Sequence, residues 1–520
     1  MTVVQNNPEV RVLGKPQNFS PPCCWFPLSR QKTILEYSFK FLRVSAHGQG
    51  IPIEAAMESK RFRYVSTRAS KSDSMTYSFQ DVLLKGFAPD GGLFVPVEIP
   101  KLTEAILQEW SRLTYPQLVV AIAELFISPE EIPRIKLSQL IQDALGSFRS
   151  SNVIETHHLT APGHASVIEL FHGLTLAFKD LAMTCTAKFL EYFLAQSQQH
   201  MNIIVSTSGD TGAAAMSAFR DSPHVDFFVL YPLGRVTEFQ ELQMTALAAT
   251  AKNLHLFGIN GTSDDGDDIM LDLFNDSAFA QGHNLSSVNS VNWSRILIQI
   301  AHHFFAYFQV HRDGERAPVE IVCPSGAAGN LSAGLFAREM GLPIRLVACV
   351  NENEFVHRLL STGVVQTDAT VKQTLASAMD IQMAYNMERI LAKNGTNFPQ
   401  NCSQKLSEVF VSSKTTDAEI RAAMKRCWDE EQYRVCPHTA TAIHYHYKQT
   451  AVAGGEDTRR ACLATASPIK FPEALTEAGV PLPDMTILVE LRAKPHKVVQ
   501  LKDKNSWIPS VRAAIELVSK

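Results

Sequence analysis

The chain has 520 residues, 45% hydrophobic and 19% charged, with 48 Lys plus Arg against 52 Asp plus Glu and a formal net charge of -4. That length and apolar content allow two to four domains with sizeable cores. So even a balance offers no basic face for nucleic acid or an anionic membrane, which leaves small-molecule chemistry or a neutral protein partner. The nine cysteines are scattered, with Cys23 and Cys24 adjacent and no C-x-x-C pair. That pattern suits neither a disulfide framework nor a zinc site and points to a reducing compartment, the cytosol. The most apolar helical pattern, Ile296 to Phe308, is interrupted by Gln299, His302 and His303. It falls short of the roughly 20 apolar residues that a membrane helix needs.

Residues 1–60 mix N-N-P, S-P-P-C-C-W and G-Q-G-I-P without periodicity, and read as a disordered extension, with Met57 an alternative start. Arg11, Lys15 and Arg30 are too dispersed for a good transit peptide. Residues 61–160 form a small N-terminal domain, with a turn cluster at F-A-P-D-G-G-L-F-V-P (Phe87 to Pro96) and helical patterns at Leu102 to Ser111 and Tyr115 to Phe126.

From 161 to 480 short β-rich runs alternate with longer helical ones. Strands are expected at Val167–Phe171, Asn202–Ser206, Val225–Tyr231, Leu254–Ile259, Glu320–Cys323, Arg345–Val350 and Ala461–Thr465. Helices are expected at Ala177–Ala195, Thr237–Lys252, Trp293–Arg312, Leu331–Met340 and Asp417–Glu430, with Gly341 and Pro343 punctuating one end. Alternation of this kind implies an α/β fold with mainly parallel sheets, whose ligands bind at the carboxyl ends of strands. In the C-terminal segment, 481–520, one more strand is expected at Met485–Leu491.

Two strand exits carry loops suited to anions. In S-T-S-G-D-T-G, Ser206 to Gly212, small hydroxyl residues and glycines precede an alanine-rich helix. Backbone N–H groups and the helix dipole favour an anion there, although Ser, Thr and Asp also serve as ordinary caps. In P-S-G-A-A-G-N, Pro324 to Asn330, glycines at 326 and 329 let a phosphate approach the backbone. Neither loop carries a nucleotide fingerprint. Between them in interest stands Lys179, set in L-T-L-A-F-K-D-L-A. Desolvation would lower its pKa and supply a nucleophilic amine for a Schiff base to an aldehyde cofactor; a stem that lets the ammonium snorkel to water also fits the segment.

Taken together, Y-V-S-T-R (Tyr64 to Arg68), A-P-D-G-G-L-F-V-P, E-L-F-H-G-L-T-L-A-F-K-D (Glu169 to Asp180), S-T-S-G-D-T-G, N-S-V-N-W-S-R (Asn289 to Arg295), S-G-A-A-G-N, C-P-H-T-A (Cys436 to Ala440) and T-A-S-P-I-K-F (Thr465 to Phe471) resemble the threonine synthase family of pyridoxal-phosphate enzymes. The resemblance covers about residues 62–475. It implies the fold type II arrangement of the tryptophan synthase β type, with two open, mainly parallel α/β subdomains around the cofactor and a small N-terminal threonine-synthase-type domain.

It also implies roles. Lys179 would hold pyridoxal 5′-phosphate covalently, and Gly326, Ala327, Ala328, Gly329 and Asn330 would hold its phosphate. Ser208, Gly209, Asp210 and Thr211 would face the substrate carboxylate and the ring oxygen, and Thr465 the pyridine nitrogen. Asn289, Ser290 and Arg295 would bind a phosphate on the substrate, so the expected partners are small phosphorylated amino acids, acted on by a monomer or a homodimer.

Three departures from the family pattern, Leu174, Ala327-Ala328 and Ser467, match an animal subgroup that the resemblance associates with phospho-lyase activity: O-phosphothreonine by β-elimination and O-phosphohomoserine by γ-elimination, both to 2-oxobutyrate. True threonine synthesis and a non-catalytic ligand sensor are the alternatives. Ser467, where the family carries histidine, is a candidate for the lost delivery of water. D-D-G-D-D, Asp264 to Asp268, reads as a solvated turn with capping carboxylates, and His302-His303 as helix core. His172 and His438 suit packing and site contact equally.

Overall fold

Three sheets organise the chain. The computed structural model describes residues 62–519 apart from 71–74, 161, 162, 164, 312–317, 369, 394–403 and 453–457. The expected N-terminal extension and Met57 lie outside the described residues.

Strands β1 (Tyr64–Ser66) and β2 (Phe94–Pro96) pair antiparallel. Around them lie helices Phe79–Lys85, Glu104–Trp110, Tyr115–Ala123 and Arg134–Leu145. A six-stranded sheet follows, formed by β3 (Glu155–His158), β4 (Ala165–Glu169), β9 (Val319–Pro324), β10 (Ile344–Val350), β11 (Phe410–Lys414) and β12 (Arg460–Ala464) in the order β11-β10-β9-β12-β4-β3. All its pairs are parallel except β3 with β4. A five-stranded parallel sheet has the order β13-β7-β6-β5-β8, from β5 (Met201–Ser206), β6 (Val225–Pro232), β7 (Leu254–Ile259), β8 (Leu285–Ser286) and β13 (Val499–Leu501). Strands such as V-E-I-V-C-P in β9 are buried at every position, as expected for parallel strands covered on both faces by helices.

The helix Trp293–Val310 passes through the core, buried almost all round. Trp293 meets Tyr64, Phe126 and Phe336 with ring centroids 5.7, 5.9 and 5.0 Å apart, which ties the N-terminal elements to the helix that follows β9. His302 and His303 are buried within it, as expected: His303 Nε2 donates to the Asn330 carbonyl at 2.9 Å. Among the described residues no group of His, Cys, Asp or Glu could hold a metal ion, and no helix is long and apolar enough to cross a membrane.

Two local expectations are corrected. Met485–Leu491 contributes a helix, Thr486–Arg492, rather than a strand. Its apolar residues obey a helical spacing: Leu488 and Leu491 are buried against Leu176, Phe239 and Ile469, while Val489 is 61% exposed. The acidic run is no turn but the first turns of a helix, Ser263–Asn275, opened by a Thr262–Asp265 capping box. Carboxylates at a helix N-terminus complement its dipole, so the reading of a capping role holds for Asp265.

Candidate active site

The carboxyl ends of β5, β9 and β12 converge on one cleft, where parallel sheets ordinarily bind ligands. Beyond β4 the chain runs antiparallel to the segment after β12: Phe178 N–H donates to Thr465 O at 2.8 Å, Ser467 N–H to Leu176 O at 3.0 Å, and Ala177 bridges Ala466. That pairing delivers Lys179, first residue of the helix Lys179–Ser197, to the cleft beside Thr465. Asp180, next in sequence, points the other way and accepts from Thr175 Oγ1 at 2.6 Å and Thr175 N–H at 2.8 Å.

Burial lowers the Lys179 ammonium most; Asp210 pulls it back up, Arg295 and Lys470 push it down again, and it settles at about 8. Lys179 is half-buried and lines the cleft that Asp210, Arg295 and Thr465 also line.

Ser208, Asp210 and Thr211, from the turn after β5, line the cleft, whereas Gly209 does not. Gly209 adopts φ +133°, its N–H donates to Thr207 Oγ1 at 3.0 Å, and a Cβ there would sit 2.6 Å from the Gln240 side chain. Asp210 accepts from Gln240 Nε2 at 2.9 Å and from Lys470 Nζ at 2.7 Å. Burial alone would raise its carboxyl, but Lys470, Lys179 and His438 outweigh burial and hold it well below the usual carboxylate range.

Residues Gly326 to Asn330 all line the cleft at the start of the helix Gly329–Glu339. Ala328 takes φ +58°, a left-handed turn that directs successive amides to one side. Those amides open a helix and have no carbonyl one turn back to bond.

Asn289, Ser290 and Arg295 line the same cleft. Arg295 is 2% exposed; its Nη1 donates to Val288 O at 2.9 Å, and its Nε has no partner among the described residues. Asn289 Oδ1 and Ser325 Oγ are likewise buried without partners. Burial lowers the guanidinium to about 10, so it remains charged at neutral pH. A buried cation with a free donor, beside a nest of free amides, is a donor set that suits two anionic groups.

Residues 63–145 match the family model "Threonine synthase N terminus", and residues 168–458 match "Pyridoxal-phosphate dependent enzyme". The mouse protein "Threonine synthase-like 2" is 43% identical over 479 residues, covering 88% of this chain and 97% of that protein. The chain belongs to the threonine synthase family of pyridoxal-phosphate-dependent enzymes.

The crystal structure of yeast threonine synthase superposes with a TM-score of 0.79 at 32% identity, covering 89% of this chain and all of that one. The threonine synthase of Brucella melitensis, solved with pyridoxal phosphate bound, gives 0.78 at 32% identity, with 88% and 99% covered. The fold is type II, the cofactor is pyridoxal 5′-phosphate, and the chain is an enzyme related to carbon–oxygen lyases that act on phosphates. The residues present fit such a group: the cleft offers a lysine with a lowered pKa, helix-opening backbone amides and the Thr465 hydroxyl.

For this threonine-synthase-type chain, the structure also places residues that sequence motifs did not single out. Residues 378–385 form a strap along the cleft, supplying Ala378, Met379, Ile381, Met383 and Tyr385. Ser208 Oγ donates to Ala378 O at 3.3 Å, and His438 Nε2, in the cleft, accepts from Ala378 N–H at 3.0 Å. Burial brings His438 down to about 4, so it is neutral and free to accept. Asn386 Nδ2 donates to Ser290 Oγ at 3.0 Å and to Ala327 O at 3.1 Å, joining the two anion loops. Asp267, read as solvated, lines the cleft, and burial with Asp264 raises it to about 7. His172 pairs with Glu169 at 2.8 Å and, like Ser467, is not among the lining residues.

Proposed function

We propose that the protein is a phospho-lyase that eliminates phosphate from O-phosphothreonine (β) and O-phosphohomoserine (γ). Each substrate, with one water, balances to 2-oxobutyrate, ammonia and phosphate. The observation that carries this reading is Arg295: a buried guanidinium with a free Nε, in the same cleft as the depressed lysine. A cation desolvated without a carboxylate is costly unless an anion completes it, and a substrate phosphate does so.

In this reading Lys179 holds the cofactor, the Gly326–Asn330 loop its phosphate and Thr465 its ring nitrogen. Bound there, pyridoxal phosphate draws electrons from the substrate's α-carbon so that a leaving group at Cβ or Cγ can depart. The protein's own groups do the rest. Lys179, depressed to about 8, has an appreciable neutral fraction at physiological pH and moves the proton from Cα. Asn289, Ser290 and Arg295 bind the phosphate and stabilise the negative charge that it gains on leaving. The Ser208 and Thr211 hydroxyls and the Asp210 backbone N–H orient the substrate carboxylate, and Gly209 gives Gln240 room behind them. A hydroxyl such as Thr465 does not hold the ring nitrogen protonated, which favours elimination over transamination.

Threonine synthesis is the second reading, favoured by 33% identity to the yeast threonine synthase across 88% of this chain. It requires a water delivered to Cβ of the bound intermediate. The test follows phosphate, 2-oxobutyrate and threonine together from both phosphorylated substrates. Phosphate and 2-oxobutyrate in equal amounts support the lyase; threonine from O-phosphohomoserine restores the synthase.

A further inference from the structure

Lys470 is a fully buried lysine next to the cleft, with none of its side chain exposed. Its Nζ lies 2.7 Å from Asp210 Oδ1 and donates to Thr175 O at 2.8 Å, while its own carbonyl accepts from Thr237 Oγ1 at 2.9 Å. Gln240 Nε2 converges on the same Asp210 oxygen, so two donors occupy Oδ1. Thr175 in turn clamps Asp180, the neighbour of Lys179. Lys470 therefore bridges the anion loop after β5 to the turn that carries Lys179.

The arrangement answers an electrostatic problem. A carboxylate stands in a loop whose amides and helix dipole suit an anion, and it stands next to the amine that must be neutral to react. Left alone in a desolvated cleft, Asp210 would pair with Lys179 and keep it protonated. The charged and titratable groups facing Lys179 are Asp210 from the helix Asp210–Phe219, Arg295 from the central helix, and Lys470. His438 faces Asp210 and is neutral. With Lys470 in place a second cation holds the carboxylate and offsets part of its pull on Lys179.

We propose that Lys470 is a positioning residue, the resident counter-ion that holds Asp210 away from Lys179 and so keeps the cofactor-binding amine reactive. The proposal rests on the reading of Lys179 as that amine. It deepens that reading by assigning the electrostatic partner that makes it work.

The test uses full-length apoprotein and added pyridoxal phosphate. Amine and aldehyde condense with loss of one water, and the visible band that grows in reports the rate at each pH without any substrate turnover. Wild type, Lys470→Met, Asp210→Asn/Lys470→Met and Lys179→Ala are compared, with circular dichroism and Tm as controls on folding. In Lys470→Met the pH midpoint of capture moves up by about one unit or more, the usual effect of an opposite charge within reach, and capture at pH 7.5 slows by roughly tenfold. The double variant, which removes both charges, returns to the wild-type midpoint.

A folded Lys470→Met with an unmoved midpoint overturns the counter-ion role and leaves Lys470 as a structural tie. Should Lys470→Met not fold, a double variant with its midpoint well below wild type overturns it equally, because Asp210 alone then governs Lys179. Capture retained by Lys179→Ala overturns the underlying reading as well, since another amine is then reacting.

Discussion

Replacing Arg295 by Met tests the substrate-phosphate site most sharply. The guanidinium has five N–H donors, one of which goes to Val288 O, and its Nε has no partner among the described residues. Two charge-assisted hydrogen bonds to a substrate phosphate, at about 1.5–3 kcal/mol each, amount to about 3–6 kcal/mol of transition-state binding. At about 1.4 kcal/mol per decade, kcat/KM for O-phosphothreonine should fall roughly 10²- to 10⁴-fold. Unphosphorylated threonine, which makes none of these bonds, should lose less than about threefold in any residual dehydration. Stability supplies a built-in control. Among the described residues no carboxylate pairs with this buried cation, so an apolar side chain of similar length should leave Tm unchanged or raise it. The assay is initial-rate release of phosphate and 2-oxobutyrate, with inorganic phosphate as a competing ligand. Equal losses on phosphorylated and unphosphorylated substrates, or phosphate inhibition as strong as in wild type, would refute the assignment.

The remaining predictions concern the cofactor side. Lys179→Ala should abolish both the visible band of bound cofactor and all product formation, read by absorbance and product analysis. Because Lys179 is depressed to about 8, its unprotonated fraction rises as pH climbs through that value, so apoprotein capture of the cofactor should increase from pH 7 to 9 and then level; a flat profile would exclude it as the titrating amine. Ala328→Gly relieves a left-handed φ of +58° and should gain about 0.5–1 kcal/mol in chemical denaturation, offset in part by the entropy of glycine. Ser467→His should yield no threonine by amino-acid analysis, because position 467 spends its N–H on Leu176 O and does not line the cleft.

Much of the parallel framework was legible because burial on both faces forces continuous apolar runs, as in β6 and β9. Polar edge strands were not: β3 reads E-T-H-H, and its strand character comes from pairing with β4. The segment 485–491 misled because I-L-V-E-L suits a strand locally, and only its packing against Leu176 and Phe239 selects the helical period. Lys470 carried the same anomaly as Lys179, a lysine between Ile469 and Phe471, and that signal could have found it.

The sequence by itself determined the chemistry on offer: a lysine set among apolar residues and two small-residue loops after strands. These are short-range properties, written by local composition and spacing. Tertiary structure alone decided which charges meet. Asp210 and Lys470 are 260 positions apart and touch at 2.7 Å, and Asn386 joins loops at 290 and 327, because sheets and helices converge there. Electrostatic coupling falls with distance and strengthens with desolvation, and both are set by the packed fold rather than by neighbours along the chain.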